Sequence, residues 1–391
     1  MRLKEEWLKA DGPKTVCDAL QEAGHLAYFV GGCVRNTLLN KPVNDIDMAT
    51  DATPKIMLEI AAKLNLRVIP TGIDHGTVTF IINNQPIEVT TFRKDIITDG
   101  RHAVITFSTS IEDDARRRDF TMNALYADIN GQLIDPLSGL DDLLTQRVRF
   151  IEDPAKRIQE DYLRILRFFR FHALYGDLEA GIDPDGLSAC ANNIDGVDTL
   201  SKERIGHEMR KLLGANNPAP SMAAMAKTGI LIRVLNGSDI TSLAPLIHLE
   251  GTLNVDPYWM RRLLAINGTD IQKSLRLSKK EAQILTSMRN VVNEAPTAKV
   301  AGYKLGAQNG LNAMLVLCAH LTAHLPDNLI ENLNIGANAS FPIKAADLSN
   351  QLEGPALGIC LKRLETAWLQ SNLTLSKAKL LSISGIKEQN T

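Results

Sequence analysis

The run Tyr28-Phe-Val-Gly-Gly-Cys-Val-Arg35, closed by Asn44-Asp-Ile-Asp47, constrains this chain more than any other stretch. Its order predicts an apolar strand, a Gly-Gly turn, a short helix and a second strand carrying Asp-x-Asp. Gly31 and Gly32 leave room for a phosphate to approach the backbone, with helical N–H groups following. On a strand, Asp45 and Asp47 project from the same face. Either feature alone is common. Together, in this order, they suit a two-metal phosphoryl-transfer centre, with Mg²⁺ held by Asp45 and Asp47.

Composition narrows the classes. The chain has 391 residues, enough for two to four domains, and a net charge of -2, so any nucleic-acid surface must be local. Cys17, Cys33, Cys190, Cys318 and Cys360 show no CxxC spacing, which predicts neither a disulfide framework nor a zinc site. The start, Met1-Arg-Leu-Lys-Glu-Glu-Trp7, lacks an apolar signal core, and no apolar run reaches membrane-spanning length. A cytoplasmic protein with no membrane partner is expected.

Residues 1–25 predict one or two amphipathic helices. Residues 26–130 alternate strands and helices, with β-rich runs at 77–82, 87–92 and 124–129. From about 140 the apolar spacing turns helical, as in Ile158, Tyr162, Ile165, Phe169 and Ala173. The expected class is α+β, an α/β head followed by an all-helical arm.

Further motifs follow the first. Glu88 lies in Ile87-Glu-Val-Thr-Thr-Phe-Arg93, where strand alternation puts Glu88 and Thr90 on one face. Arg116-Arg-Arg-Asp-Phe-Thr-Met-Asn123 offers guanidinium forks suited to triphosphate oxygens, and Asp119 and Asn123 suit a ribose hydroxyl. Asp135-Pro-Leu-Ser-Gly-Leu-Asp-Asp142 predicts a turn, with Asp141 capping the next helix. In Arg157-Ile-Gln-Glu-Asp-Tyr-Leu-Arg164, helical spacing puts Arg157, Asp161 and Arg164 on one face. That pattern fits a surface ion-pair ladder. It also fits a reader of cytosine and adenine, which both present an amino donor beside a ring-nitrogen acceptor. An Asp acceptor next to an Arg donor matches them and leaves unpaired groups against uracil and guanine. The polarity of residues 95–103, with Gly100, predicts a mobile loop. His75 and His102 are expected as turn residues or phosphate neighbours, and His320 and His324 as a packed or surface pair.

These motifs, in this order over roughly residues 25–215, resemble the nucleotidyltransferase superfamily with a DNA polymerase β-like palm. The longer match through Ala49-Thr-Asp-Ala-Thr-Pro54 resembles the branch holding the class II tRNA nucleotidyltransferases (CCA-adding enzymes) and the bacterial poly(A) polymerases. Thr71-Gly-Ile-Asp-His-Gly-Thr77 resembles the CCA-adding form, and the Gly-Arg-Arg-Phe type segment of the poly(A) polymerases is absent. One departure is Asn36, where the family usually has Asp.

The resemblance implies a palm, or head, at 1–143, a helical neck with a base-reading helix at 144–214, and a helical body and tail at 215–391 that binds RNA. It implies template-independent addition of C and A to the 3′ end of tRNA from CTP and ATP, releasing pyrophosphate. Carried over, the catalytic residues are Asp45, Asp47 and Glu88, with Glu88 helping to bind metal or to deprotonate the attacking hydroxyl. Gly31, Gly32 and Arg35 bind triphosphate; Arg118, Asp119 and Asn123 bind ribose. Asp161 and Arg164 read the base, supported by Arg157, Glu160 and Arg167. Ser201-Lys-Glu-Arg-Ile-Gly-His-Glu208 resembles a later neck motif, an N-cap and paired charges that steady the base-reading helix. Basic residues of the arm, among them Lys202, Arg204, Arg210, Lys211, Arg261, Arg262, Lys273, Arg276, Lys279 and Lys280, read as solvated faces, some of them lining a groove for the acceptor stem. Two alternatives stay open: a narrower enzyme, adding only A to tRNA or making poly(A), and a catalytically silent RNA-binding protein.

Overall fold

A computed structural model describes residues 1–99, 102–349 and 351–384. The chain divides into two compact units, Met1–Val234 and Leu235–Thr391.

The first unit begins with a 3₁₀ turn, Glu6–Lys9, and α1, Asp11–Glu22. Then come β1 (Ala27–Val30), α2 (Gly32–Leu38), β2 (Asp47–Thr50), α3 (Pro54–Lys63), β3 (Arg67–Gly72), β4 (Thr77–Ile82) and β5 (Gln85–Thr91). Next are β6 (Arg93–Asp99), β7 (His102–Phe107), α4 (Ile111–Arg116), β8 (Tyr126–Ala127) and β9 (Leu133–Ile134). Seven strands form one sheet in the order β3-β4-β5-β2-β1-β8-β9, while β6 and β7 pair as a separate hairpin. Only β2 and β5 run parallel, in a register that sets Asp47 opposite Glu88. Alternation along β5 buries Ile87, Val89 and Thr91 and leaves Glu88 exposed. The strand thus presents its carboxylate on one face and seals the core with the other. Val30, Ala49, Phe92, Ala115, Ala124, Tyr126 and Ile151 form one buried cluster of the unit.

Helices α5 (Gly139–Leu144), α6 (Pro154–Glu160), α7 (Leu163–Tyr175), α8 (Pro184–Asn192), α9 (Lys202–Leu213), α10 (Ala219–Lys227) and α11 (Ile230–Val234) complete the unit. Ser138 holds the N-cap position of α5, and the side chain that bonds its first amides is Asp135, not Asp141: its carboxylate accepts from Gly139 N at 2.8 Å and Leu140 N at 2.9 Å. Asp141 already lies inside the helix, because the turn before it spends only four residues. The apolar run at 124–129 gives a strand of just two residues, since a 3₁₀ turn occupies Thr121–Asn123. Residues 95–99 and 102–103, expected in a mobile loop, belong to the β6–β7 hairpin; Gly100 lies outside the described residues.

The second unit is helical: α12 (Leu243–Thr252), α13 (Trp259–Ile266), α14 (Ile271–Ser274), α15 (Lys279–Glu294), α16 (Ala298–Leu321), α17 (Leu329–Asn338), α18 (Gly354–Gln370) and α19 (Lys377–Ser384). Arg261 and Arg262, expected on a solvated face, are 1 % exposed and share Glu250 at 2.7 Å each. Arg261 also donates to Asn312 at 2.8 Å. They hold α13 to α12 from inside. No described helix is long and apolar enough to cross a membrane.

Candidate active site

The Gly-Gly turn decides the shape of the site. Gly31 has φ 73°, a left-handed conformation that disfavours any side chain, and Arg118 Nη1 lies 3.6 Å from where its Cβ would stand. Gly32 opens α2, and Arg35 follows one turn on. These residues line a cavity of about 400 Å³ with Asp47, Arg117, Arg118, Asp119, Asn123, Asp161, Leu163, Arg164, Arg167, Phe171 and Arg204. Loops, sheet and helices remote in sequence therefore meet at one place.

Asp47 opens β2. Burial pushes its carboxyl up, and the charges of Glu88 and Asp45 push it further, against Arg118 and Arg35. Asp45 is exposed and precedes the strand rather than lying within it, so the shared-face geometry expected for the pair does not hold as stated. Its charge nonetheless reaches Asp47. Asp45 and Glu88 flank Asp47 outside the cavity lining. A divalent cation would relieve the cost of ionising Asp47 beside these two carboxylates. Among the described residues, no three His, Cys, Asp or Glu form a ready metal cage.

Arg35 is 7 % exposed. It donates to Asn36 Oδ1 (3.2 and 2.9 Å), Asn123 Oδ1 (2.5 Å) and the Tyr175 hydroxyl (2.8 Å). Asn36 thus makes a local hydrogen bond. Asp119 accepts from Arg167 Nε at 2.7 Å and from Asn123 Nδ2 at 2.8 Å. Burial opposes its charge, but Arg167 and these bonds hold its carboxyl well below the usual range. Arg118 does not join Asp119. It turns toward Gly31, held by Asp114 at 2.9 Å, away from the Asp119–Asn123 pair with which it was grouped. Asp114, fully buried, also holds Arg117 at 2.6 Å and accepts from the Tyr126 hydroxyl at 2.7 Å. Burial works against its ionisation, yet Arg118 and Arg117 hold its carboxyl down to about 2.

The expected helix through 157–171 is broken. Asp161 is extended, at φ −156° and ψ 105°, between α6 and α7. Its Oδ1 accepts from Leu163 N at 3.1 Å and starts α7, as short acidic side chains do at helix entries. The Tyr162 ring lies where a side chain at Gly196 would be, 1.9 Å from its Cβ position. Asp161 Oδ2 accepts from Arg204 at 2.5 Å. Arg164 donates to Glu160 (2.5 Å), Arg157 O (2.8 Å) and Arg117 O (3.1 Å). Arg157 is buried and donates to Arg118 O at 2.7 Å. Helix α9, N-capped by Ser201, is tied to α7 by the Arg170–Glu208 pair at 2.6 Å.

Sequence reasoning missed Asp114 and Tyr175; it held Arg117 within the arginine run and Arg204 both among the arm's basic residues and in the motif expected to steady the base-reading helix, where it does meet Asp161. The spacing of Asp114 three and four residues before Arg117 and Arg118 was a usable signal. Nothing local marks Tyr175. His75 lies in a 3₁₀ turn, and His320 Nε2 meets Ala265 O at 3.1 Å. The five cysteines are free and buried; burial pushes the Cys17 thiol up to about 12.

Residues 27–149 match the family model described as "Poly A polymerase head domain", and residues 181–239 match "Probable RNA and SrmB- binding site of polymerase A". The "CCA-adding enzyme" of Streptococcus gordonii is 34% identical over 92% of this chain and 92% of its own. The chain belongs to the CCA-adding enzyme family. Another relative, the human "CCA tRNA nucleotidyltransferase 1, mitochondrial", is 29% identical over 96% of this chain and 90% of its own. The crystal structure of the Bacillus stearothermophilus CCA-adding enzyme in complex with CTP superposes with a TM-score of 0.72 at 25% identity, covering 98% of both chains. The fold is that of the CCA-adding enzymes, a polymerase β-like head followed by helices.

Proposed function

We propose that this protein is a tRNA nucleotidyltransferase that adds C and A to the 3′ end of tRNA from CTP and ATP, releasing pyrophosphate. One observation carries the reading: a single cavity brings the Gly31–Gly32 turn, Asp47, the Asp119–Asn123 pair and the Asp161–Arg164 pair together. A relative of the same fold is described in complex with CTP, and another with tRNA.

In this reading Gly31, Gly32, Arg35 and Arg118 hold the triphosphate. Asp119 and Asn123 accept and donate at the ribose. Asp161 accepts from the base amino group and Arg164 donates to the ring nitrogen. A carboxylate has about four lone-pair sites, so Asp161 serves the base without leaving Arg204. The bonds described for Arg164 use three of its five donors. Asp45, Asp47 and Glu88 would hold Mg²⁺, which when bound neutralises triphosphate charge and activates the RNA 3′ hydroxyl. Functionally we divide the chain into head 1–143, neck 144–214, and body and tail 215–391, the last gripping the acceptor stem. Five unpaired, buried cysteines support a reducing compartment, which we take to be the cytoplasm.

The test is tRNA ending at the discriminator base, incubated with Mg²⁺ and each NTP or CTP plus ATP, then sequenced at its 3′ end. CCA from the mixture, with UTP and GTP unused, is expected. Growth only from ATP on tRNA already ending in CC would make it an A-adding enzyme, and long A tails a poly(A) polymerase. Asp47→Ala should abolish every incorporation with the fold intact by circular dichroism.

A further inference from the structure

Helix α7 carries Arg164, Arg167, Phe171 and Tyr175 at successive steps of three, four and four residues, a single stripe along one face. The stripe spans about 16 Å at the rise of an α-helix, comparable to an extended nucleoside triphosphate. Its first three members line the cavity. The fourth, Tyr175, ends the helix and reaches Arg35: the hydroxyl accepts from Nη2 at 2.8 Å, and the ring centroid lies 4.1 Å from the guanidinium carbon. Phe171 supplies a second ring at 5.2 Å.

Every acceptor described for Arg35 is neutral: Asn36, Asn123 and Tyr175. Asp119, whose charge reaches Arg35, is itself bound to Arg167. A buried guanidinium with no carboxylate bonded to it is costly, and burial lowers its pKa against Tyr175 and the charge of Asp119. An anion entering the cavity supplies the missing charge. Aromatic faces and a hydroxyl hold the cation in place without competing for it as a carboxylate would. Lys41 adds a second cation, 4.7 Å above the Tyr175 ring and bonded to Leu174 O at 2.5 Å.

We propose that Tyr175 is a positioning residue for the triphosphate, fixing Arg35 so that α7 spans the nucleotide from base to phosphate. The proposal rests on the reading of the cavity as a nucleotide site. Arg164 stands at the base, Arg167 at the ribose through Asp119, and Tyr175 at the phosphates through Arg35.

The experiment compares full-length wild type with Tyr175→Phe, which keeps the ring and deletes the acceptor. KM for CTP and for ATP should rise alike, by roughly two- to tenfold, the worth of one hydrogen bond. Inhibition by tripolyphosphate should weaken by the same factor. Inhibition by CMP, kcat and discrimination against UTP should hold. Tyr175→Leu, which also removes the ring, should move further in the same direction. In an Arg35→Ala background Tyr175→Phe should add nothing, because its effect runs through Arg35. The proposal is overturned if tripolyphosphate inhibits wild type and Tyr175→Phe equally, if CMP and tripolyphosphate weaken together, or if the effect persists without Arg35. Failure of wild type to extend tRNA would overturn the proposed function instead, whatever Tyr175 does to tripolyphosphate.

Discussion

At the scale of single residues, Asp161 carries the largest load. One oxygen starts α7 and the other holds Arg204, while the same carboxylate faces the cavity. Asp161→Asn keeps the shape and turns one acceptor into a donor. Losing a hydrogen bond to a charged group costs about 1.5–3 kcal/mol, so discrimination against UTP and GTP should fall roughly ten- to a hundredfold. Single-turnover incorporation of each NTP measures it. Equal slowing of all four, with C and A still preferred, would return the pair to a plain ion-pair role. Asp119 makes a separate claim. Held ionised by Arg167 and bonded to Asn123, it presents an acceptor at the expected ribose position. Asp119→Ala should lower the preference for ATP over dATP; an unchanged ratio would assign ribose reading elsewhere.

At the scale of elements, the break between α6 and α7 is what aims Asp161 into the cavity. The break is locked from outside: Tyr162 packs flat against Gly196, and Arg204 of α9 reaches Asp161. A methyl at Gly196 would run into the Tyr162 ring, 1.9 Å away, and must displace it. Gly196→Ala should therefore degrade base discrimination more than triphosphate binding. Base selectivity and tripolyphosphate inhibition, measured on the same preparation, separate the two; parallel loss of both would mean a general collapse of the neck.

At the scale of the whole molecule, stability depends on buried charges in both units. Asp114 holds Arg117, Arg118 and Tyr126 together, and its carboxyl sits at about 2 against an ordinary 3.8. A depressed carboxylate stabilises the fold above its unfolded value and loses that contribution as pH falls through its folded one. Between about pH 4 and pH 2 wild type should lose about 2 kcal/mol from this group, and Asp114→Asn should not. Urea titrations of both proteins at several acidic pH values test it; identical slopes would refute the assignment. In the second unit Glu250 pairs with both Arg261 and Arg262, each 1 % exposed. Glu250→Ala takes the carboxylate away from two buried guanidiniums and should cost about 3–5 kcal/mol. Tryptophan fluorescence reports it, since Trp259 and Trp368 lie in that unit.

The strand, Gly-Gly turn, helix and Asp-bearing strand were legible in residues 28–50, because turn chemistry and period-2 alternation act over a few residues. So were Glu88 on its exposed face and the helical arm. Family membership followed from the order of those motifs. Three features depended on long-range contacts. Continuous helical periodicity through 157–171 hid the break at Asp161, since the forces that make it come from Gly196 and Arg204, more than thirty residues away. Arg261 and Arg262 look like surface residues until Glu250 closes over them. Tyr175 looks like core until α7 is laid along the cavity and its hydroxyl meets Arg35, 140 residues upstream. Local propensity determines which elements form. The partner of a buried charge is decided only when distant elements pack, because its energy exists only where water has been removed.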